Sequence, residues 1–304
     1  MHQPVAVFLR CSCTDQSQTF HNIINGKLTT TAETRYSVDP ATGEPNPKVP
    51  LSTQDDLDNA VGAAKHAYKA WSRTTFEERR KKLHAYADTL ETHRDDFVSL
   101  LIAEQGKAYG LAQDEFNRTM RMIRDTPNLQ LPEEVVEDSE ERTVTVRYVP
   151  IGVTCALVPW NYPLLLAWGK IAPALYTGNT IIVKPSPDTP YCGLKLVELA
   201  IQFFPPGVVQ ALSGGHDLGP LCTAHPDIDK ISFTGSIAVG KKVMESCSKT
   251  LKRVTLELGG NDAAIICEDA DFDKVVPPVS LQIPYSLEYL LDPTIYSLFN
   301  FVPL

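Results

Sequence analysis

From residue 152 to residue 267, short apolar runs alternate with stretches of helical periodicity, and few folds accommodate that order. The runs are 152–158, 180–183, 208–212, 230–233 and 263–267, continuous and partly β-branched. Strands buried on both faces read this way, whereas a strand with one wet face would alternate. Helical stretches at 164–175, 191–203, 218–224 and 237–249 separate them. Strand then helix, repeated, predicts an α/β fold with a parallel sheet covered by helices on both sides. In such sheets a ligand sits at the carboxyl ends of the strands, so the residues after each run are the ones to read for chemistry.

Upstream the pattern changes. Residues 1–17 have no periodicity and are expected as a loose arm. Asn25-Gly26, Asp39-Pro40 and Asn46-Pro47 are turn signals between short strands. Ser52 and Thr53, followed three residues later by Asp55 and Asp56, predict the start of a helix whose apolar stripe is Leu57, Val61, Ala64, Tyr68 and Trp71. A second helix is expected from Phe76 to a stop at Gly106, burying Leu83, Tyr86, Leu90, Phe97, Leu100 and Leu101, with the charge run 77–82 as its solvated face. Residues 142–149 place Val144, Val146 and Tyr148 on one side of a half-exposed strand.

Charge and cysteine usage narrow the function classes. With 28 Lys+Arg against 37 Asp+Glu the net charge is −9, which gives no general attraction to nucleic acid or anionic lipid. Residues 151–169 carry no charge, yet Pro159, Asn161 and Pro163 interrupt them, so no membrane span is expected. The 7 cysteines lack the spacing of a disulfide framework, and no secretory signal is evident, which fits a reducing, cytoplasmic setting. Cys11-Ser-Cys13 is too little for a metal site, and none is expected. Gly235 to Gly240-Lys241 nearly spells a phosphate-binding loop, but Lys242 stands where a magnesium-holding hydroxyl is required.

Three segments after the runs are distinctive, Pro159-Trp160-Asn161-Tyr162-Pro163, Lys184-Pro185-Ser186-Pro187 and Phe233-Thr234-Gly235-Ser236, and a fourth, Glu257-Leu258-Gly259-Gly260-Asn261, lies further on. In this order they resemble the signature of the NAD(P)-dependent aldehyde dehydrogenase family, and the resemblance runs from about Asn22 to about Val279. It implies a Rossmann-like parallel sheet with flanking helices, and NAD or NADP as cofactor. By resemblance, Trp160, Lys184, Ser186, Gly235, Ser236, Leu258 and Gly259 line the cofactor, Lys184 holding the adenosine ribose. The residues supply independent reasons. Asn161 offers an amide donor to an oxygen that becomes negative, although alone it would be read as capping the helix that starts at Tyr162. Gly235-Ser236 opens a helix, where backbone amides and a hydroxyl meet a pyrophosphate. Glu257 shares its strand with Val254, Leu256 and Leu258 but points the other way; partial burial would raise its proton affinity and suit a general base toward water. Pro187 stands where many NAD-preferring members carry a Glu that grips the ribose hydroxyls, so the choice between NAD and NADP stays open.

The family's nucleophile is a cysteine roughly 35 residues beyond that Glu, and this chain has no cysteine after Cys267. Cys155 and Cys267 lie inside apolar runs and read as structural thiols. From 280 to 304 the sequence has two acids, no Lys or Arg, and three prolines, and does not resemble the family. The expectation is therefore an incomplete form: a cofactor-binding domain from 18–140 and 152–279 with N-terminal helices, a bridging or oligomerisation strand at 141–151, a tail at 280–304, and most of the catalytic domain missing. A sheet without that domain is expected to expose an apolar face. Implied partners are a small-molecule aldehyde and, for the intact family, further copies of the chain; the alternative is a non-enzymatic dinucleotide-binding or interaction fragment.

Overall fold

The computed structural model describes residues 19–260, 269–271 and 273–274. The arm at 1–17, the run at 263–267 and the tail at 280–304 lie outside the described residues. The chain divides into two compact units, Met1–Leu258 and Gly259–Leu304, and the first contains the seven-stranded sheet.

It opens with a hairpin, β1 (Asn22–Ile24) and β2 (Lys27–Thr29). Asn25 and Gly26 between them have φ of 51° and 70°, the left-handed backbone that a two-residue hairpin turn needs and that Asn-Gly tolerates. A two-stranded pair, β3 (Thr34–Arg35) and β4 (Val49–Pro50), follows. Four helices come next: α1 (Gln54–Trp71), α2 (Phe76–Thr92), α3 (Arg94–Gln105) and α4 (Tyr109–Asp125). Thr53 with Asp56 and Thr75 with Glu78 form reciprocal capping boxes at the starts of α1 and α2. An antiparallel ribbon, β5 (Glu134–Asp138) and β6 (Thr143–Val146), leads into the α/β part.

That part is β7 (Val153–Leu157), α5 (Pro163–Tyr176), β8 (Thr180–Lys184), α6 (Tyr191–Ala200), β9 (Val209–Ala211), α7 (Leu218–Ala224), β10 (Lys230–Gly235), α8 (Ile237–Ser248) and β11 (Arg253–Leu258). The sheet order is β11-β10-β7-β8-β9-β1-β2. Neighbours from β11 to β9 are parallel, and the hairpin adds an antiparallel edge through Ile23 opposite Ala211. Alternate residues feed two cores. Ala156, Ile181 and Val183 pack toward α2 to α6, while Cys155, Ile182 and Ile231 pack toward α1, α7 and α8.

Several expectations are corrected. The single second helix is two, because the chain breaks at His93, whose φ of −105° and ψ of 18° are not helical. The run 77–82 is not all solvated: Arg79 is 4% exposed and donates to the Tyr176, Ser72 and Thr74 carbonyl oxygens. Helix α4 has no counterpart in the sequence reading. The strand at 142–149 is only Thr143–Val146, exposed on both faces and paired with the equally exposed β5. Complete burial holds for β7, β8 and β9 but not for β10 and β11. On the face they share with α5, these two strands border a groove of about 620 Å³ whose lining includes Lys230, Ser232, Arg253 and Thr255. Hydroxyl and cationic side chains there share the groove with apolar ones such as Ile151, Pro173 and Ile181.

Candidate active site

Parallel register puts the carboxyl ends of four strands side by side. Leu157 at the end of β7 lies opposite both Lys184 of β8 and Phe233 of β10, and Gly235 lies opposite Leu258 of β11. Adjacent strands sit about 4.8 Å apart, so the segments that follow them share one rim.

After β7 comes the turn with Trp160 and Asn161, both exposed. Asn161 does not cap α5, whose N-cap is Tyr162. Its Oδ1 accepts from the Tyr162 N–H at 3.0 Å, which leaves the Nδ2 hydrogens as donors. The cap of α5 comes from far away in sequence: buried Glu115 of α4 accepts from the Leu164 and Leu165 N–H groups at 2.9 and 3.1 Å. Glu115 is ion-paired with Lys107, whose Nζ also donates to the Asn161 carbonyl oxygen at 2.9 Å.

After β8, Lys184 is 8% exposed, and its ammonium has no hydrogen-bond acceptor among the described residues. Burial holds its pKa below the usual lysine value, opposed by the Cys222 and Cys155 thiols beside it. Ser186 is buried and its hydroxyl closes a local turn, accepting from the Asp188 N–H at 3.2 Å. Arg35 of β3 reaches over to donate to the Pro187 carbonyl oxygen. A second distant carboxylate caps the next helix. Glu104 of α3, 2% exposed, accepts from the Tyr191 N–H at 2.8 Å and the Cys192 N–H at 3.3 Å. Burial pushes its pKa up to about 7.

After β10, Ser236 is the N-cap of α8 and accepts from the Val239 N–H at 3.3 Å. Gly240 lets α8 close on β11, since a Cβ there would lie 2.6 Å from the Leu258 side chain. Glu257 stands opposite Thr234, on the strand face away from Val254 and Leu256, but it is exposed, so the burial expected of it is not present. Thr234 accepts a hydrogen bond from Lys170 of α5 at 2.7 Å. Burial lowers the Lys170 pKa to about 8, against the attraction of the Glu257 carboxylate. Leu258 ends the first unit and Gly259 begins the second. A hydrogen bond with Cys222 and burial push the Cys155 thiol well above the ordinary thiol range, which suits a structural group.

A sequence profile of the aldehyde dehydrogenase family matches residues 28–283. The chain belongs to that family. It is 46% identical over 262 residues to aldehyde dehydrogenase LUC3 of a Fusarium species, covering 86% of this chain and 56% of that protein. To 3-sulfolactaldehyde dehydrogenase of Pseudomonas putida it is 35% identical over 249 residues, covering 80% and 51%. Among solved structures, the NAD+ complex of aldehyde dehydrogenase from Bacillus cereus superposes with a TM-score of 0.83 at 32% identity, covering 86% of this chain and 55% of that one. An E. coli NADP-dependent enzyme gives 0.81 at 34%, covering 84% and 55%. The chain thus spans little more than half the length of the relatives it matches.

In this aldehyde dehydrogenase chain the rim fits a dinucleotide on its own chemistry: a desolvated ammonium without a described acceptor at Lys184, and the exposed start of α8 at Ser236. Sequence reading missed Glu104, Lys107, Glu115, Lys170 and Arg35. A signal existed for two of them. Glu115 falls in the stripe Ala112, Phe116, Thr119, Met120, Ile123, and Glu104 follows Phe97, Leu100 and Leu101 at helical spacing; an acid at a stripe position needs a buried partner. No described group of His, Cys, Asp and Glu could hold a metal, and no described helix is long and apolar enough to cross a membrane.

Proposed function

We propose that this chain carries the dinucleotide-holding part of an enzyme that oxidises a small-molecule aldehyde, with NAD(P)+ and water, to a carboxylate, NAD(P)H and two protons. The observation that carries the reading is the shared rim of Asn161, Lys184, Ser236 and Glu257 on four adjacent strand ends. The dinucleotide, when bound, accepts a hydride. Lys184 donates to ribose hydroxyls, and Ser236 with the first amides of α8 faces the pyrophosphate. Asn161 gives its Nδ2 hydrogens to the oxygen that gains negative charge. Glu257 takes the proton of the attacking water, with the Lys170 ammonium nearby to steady its charge. Trp160 and Leu258 line the same cofactor. Pro187 brings no carboxylate and Arg35 brings a cation beside it, which favours tolerance of the 2′-phosphate of NADP.

Turnover needs a thiolate, and no cysteine follows Cys267 in this chain. That observation favours, as a second reading, dinucleotide binding without oxidation of aldehydes by the chain alone. Calorimetric titration of NAD and NADP into the wild type and Lys184→Ala tests the cofactor site. The expected result is at least a tenfold loss, about 1.4 kcal/mol, in the variant; equal affinities would remove Lys184 from the site. NAD(P)H formation with aldehydes, abolished by changing one of the cysteines, would overturn the second reading.

A further inference from the structure

Lys107 and Glu115 bracket the turn after β7 from both sides. The pair is buried, with side chains 3% and 0% exposed. Lys107 Nζ holds the Asn161 carbonyl oxygen at 2.9 Å, and lies 3.8 Å from the centre of the Tyr162 ring. Glu115 Oε1 holds the Leu164 and Leu165 amides at 2.9 and 3.1 Å. One ion pair therefore fixes a carbonyl before the start of α5 and two amides after it. Helix α5 has no side-chain cap of its own. The turn between these anchors contains Asn161, whose Oδ1 is turned back onto the Tyr162 N–H.

A buried ion pair is a poor way to gain stability, since apolar residues of the same volume would serve as well or better. It is a good way to fix geometry, because a charged donor and a charged acceptor each lose heavily if their partners move. We infer that Lys107 and Glu115 are positioning residues that set the direction of the Asn161 amide donor. This rests on the reading of Asn161 as the donor to a developing oxyanion. Lys107 acts through the Asn161 backbone and Glu115 through the first turn of α5.

The test follows the Asn161 side-chain amide as a pair of 1H–15N correlation peaks in the full chain, assigned by their loss in Asn161→Leu. Lys107→Met keeps the volume and removes the charge and the donor; the wild-type peak positions should be lost. Lys107→Arg keeps a charged donor and should restore them, at least in part. A Lys107 that merely filled space would be replaced by Met without effect, so unchanged Asn161 peaks in folded Lys107→Met would overturn the inference. Should that variant fail to fold, Lys107→Met/Glu115→Gln leaves no orphaned charge and retains an acceptor for the Leu164 and Leu165 amides. In it the wild-type Asn161 peaks should still be lost, and their persistence would overturn the inference equally. Titrating the wild type with NAD and NADP judges the proposed function separately. If neither nucleotide shifts any peak, that reading fails, while the variant spectra still decide whether the pair positions Asn161.

Discussion

Helices α5 and α6 start in the same way and are held differently. Each follows a strand of the parallel sheet, each has a proline at its entrance, and neither caps itself. Both are capped by a buried glutamate from the preceding helices, Glu115 for α5 and Glu104 for α6. Glu115 has the Lys107 ammonium against it. Glu104 has no ion pair among the described residues, feels the Glu115 carboxylate, and has its pKa pushed up to about 7, chiefly by burial. The entrance that carries Asn161 is thus fixed by a charge pair, and the one that follows Lys184 and Ser186 is held by a carboxyl group able to change protonation near neutrality. An amide pair at a helix start can be satisfied by a distant acid whether or not that acid is neutralised. Neutralisation decides whether the hold depends on pH.

The largest expected effect comes from removing the cation. Lys107→Met leaves Glu115 buried without a counter-charge, which costs about 3–5 kcal/mol. Lys107→Met/Glu115→Gln should recover much of that loss, because no charge is left stranded. Urea melts of the two variants check both statements. A loss under about 1 kcal/mol for Lys107→Met would mean that the two entrances are held alike.

Next in size is the pH dependence of the unpaired acid. The Glu104 carboxyl sits near 4.5 when unfolded and about 7 when folded. Between these values the folded chain keeps a proton that the unfolded chain has released, so this group's contribution to stability falls as pH rises from about 4.5 to about 7 and is fully present only below that window. At about 1.4 kcal/mol per unit, the fall is on the order of 3 kcal/mol. Glu104→Gln has no proton to lose and should flatten that part of the profile. Melting midpoints from pH 5 to 8 for both proteins give the comparison, and parallel slopes would show that Glu104 does not titrate there.

The two kinds of helix start also explain how much was legible in the sequence. Thr53 with Asp56 and Thr75 with Glu78 cap within four residues, and the starts of α1 and α2 could be read from them. Glu115 caps a helix 49 residues on, and Glu104 one 87 residues on, so their roles exist only in the folded chain. The strands β7, β8 and β9 were readable because burial on both faces leaves continuous apolar runs, and helices α5, α7 and α8 as the stretches between such runs. The Asn161, Lys184 and Ser236 segments were readable because each follows an apolar run, and Glu257 because it faces away from Val254 and Leu256 just before Gly259-Gly260. The break at His93 was not readable: apolar periodicity continues across it, and only the backbone angles change. The groove beside β10 and β11 was not anticipated for a related reason. The hydroxyl and cationic residues of that face alternate with apolar ones, and without the pairing of Lys230 with Arg253 and Ser232 with Thr255 the polar stripe is invisible.

The smallest expected effect concerns the link between the two entrances. Thr189, 2% exposed and just ahead of α6, donates its hydroxyl to the Trp160 carbonyl oxygen at 3.3 Å. Thr189→Val keeps the shape and removes one neutral hydrogen bond, which costs about 1 kcal/mol. This bond is only part-buried, so water can replace the donor and hold the loss near that figure. If the hydroxyl carries the protonation state of Glu104 across to the Asn161 turn, Thr189→Val and Glu104→Gln should not add. A coupling of about 0.5 kcal/mol or more in a double-mutant cycle at pH 8, shrinking toward pH 5.5 where Glu104 is neutral, is the expected pattern. Additive losses at both pH values would mean that the two entrances, though adjacent, are held independently. In that case the pH sensitivity of α6 would stop short of Asn161, and the Lys107–Glu115 pair would be the main determinant of where that side chain points.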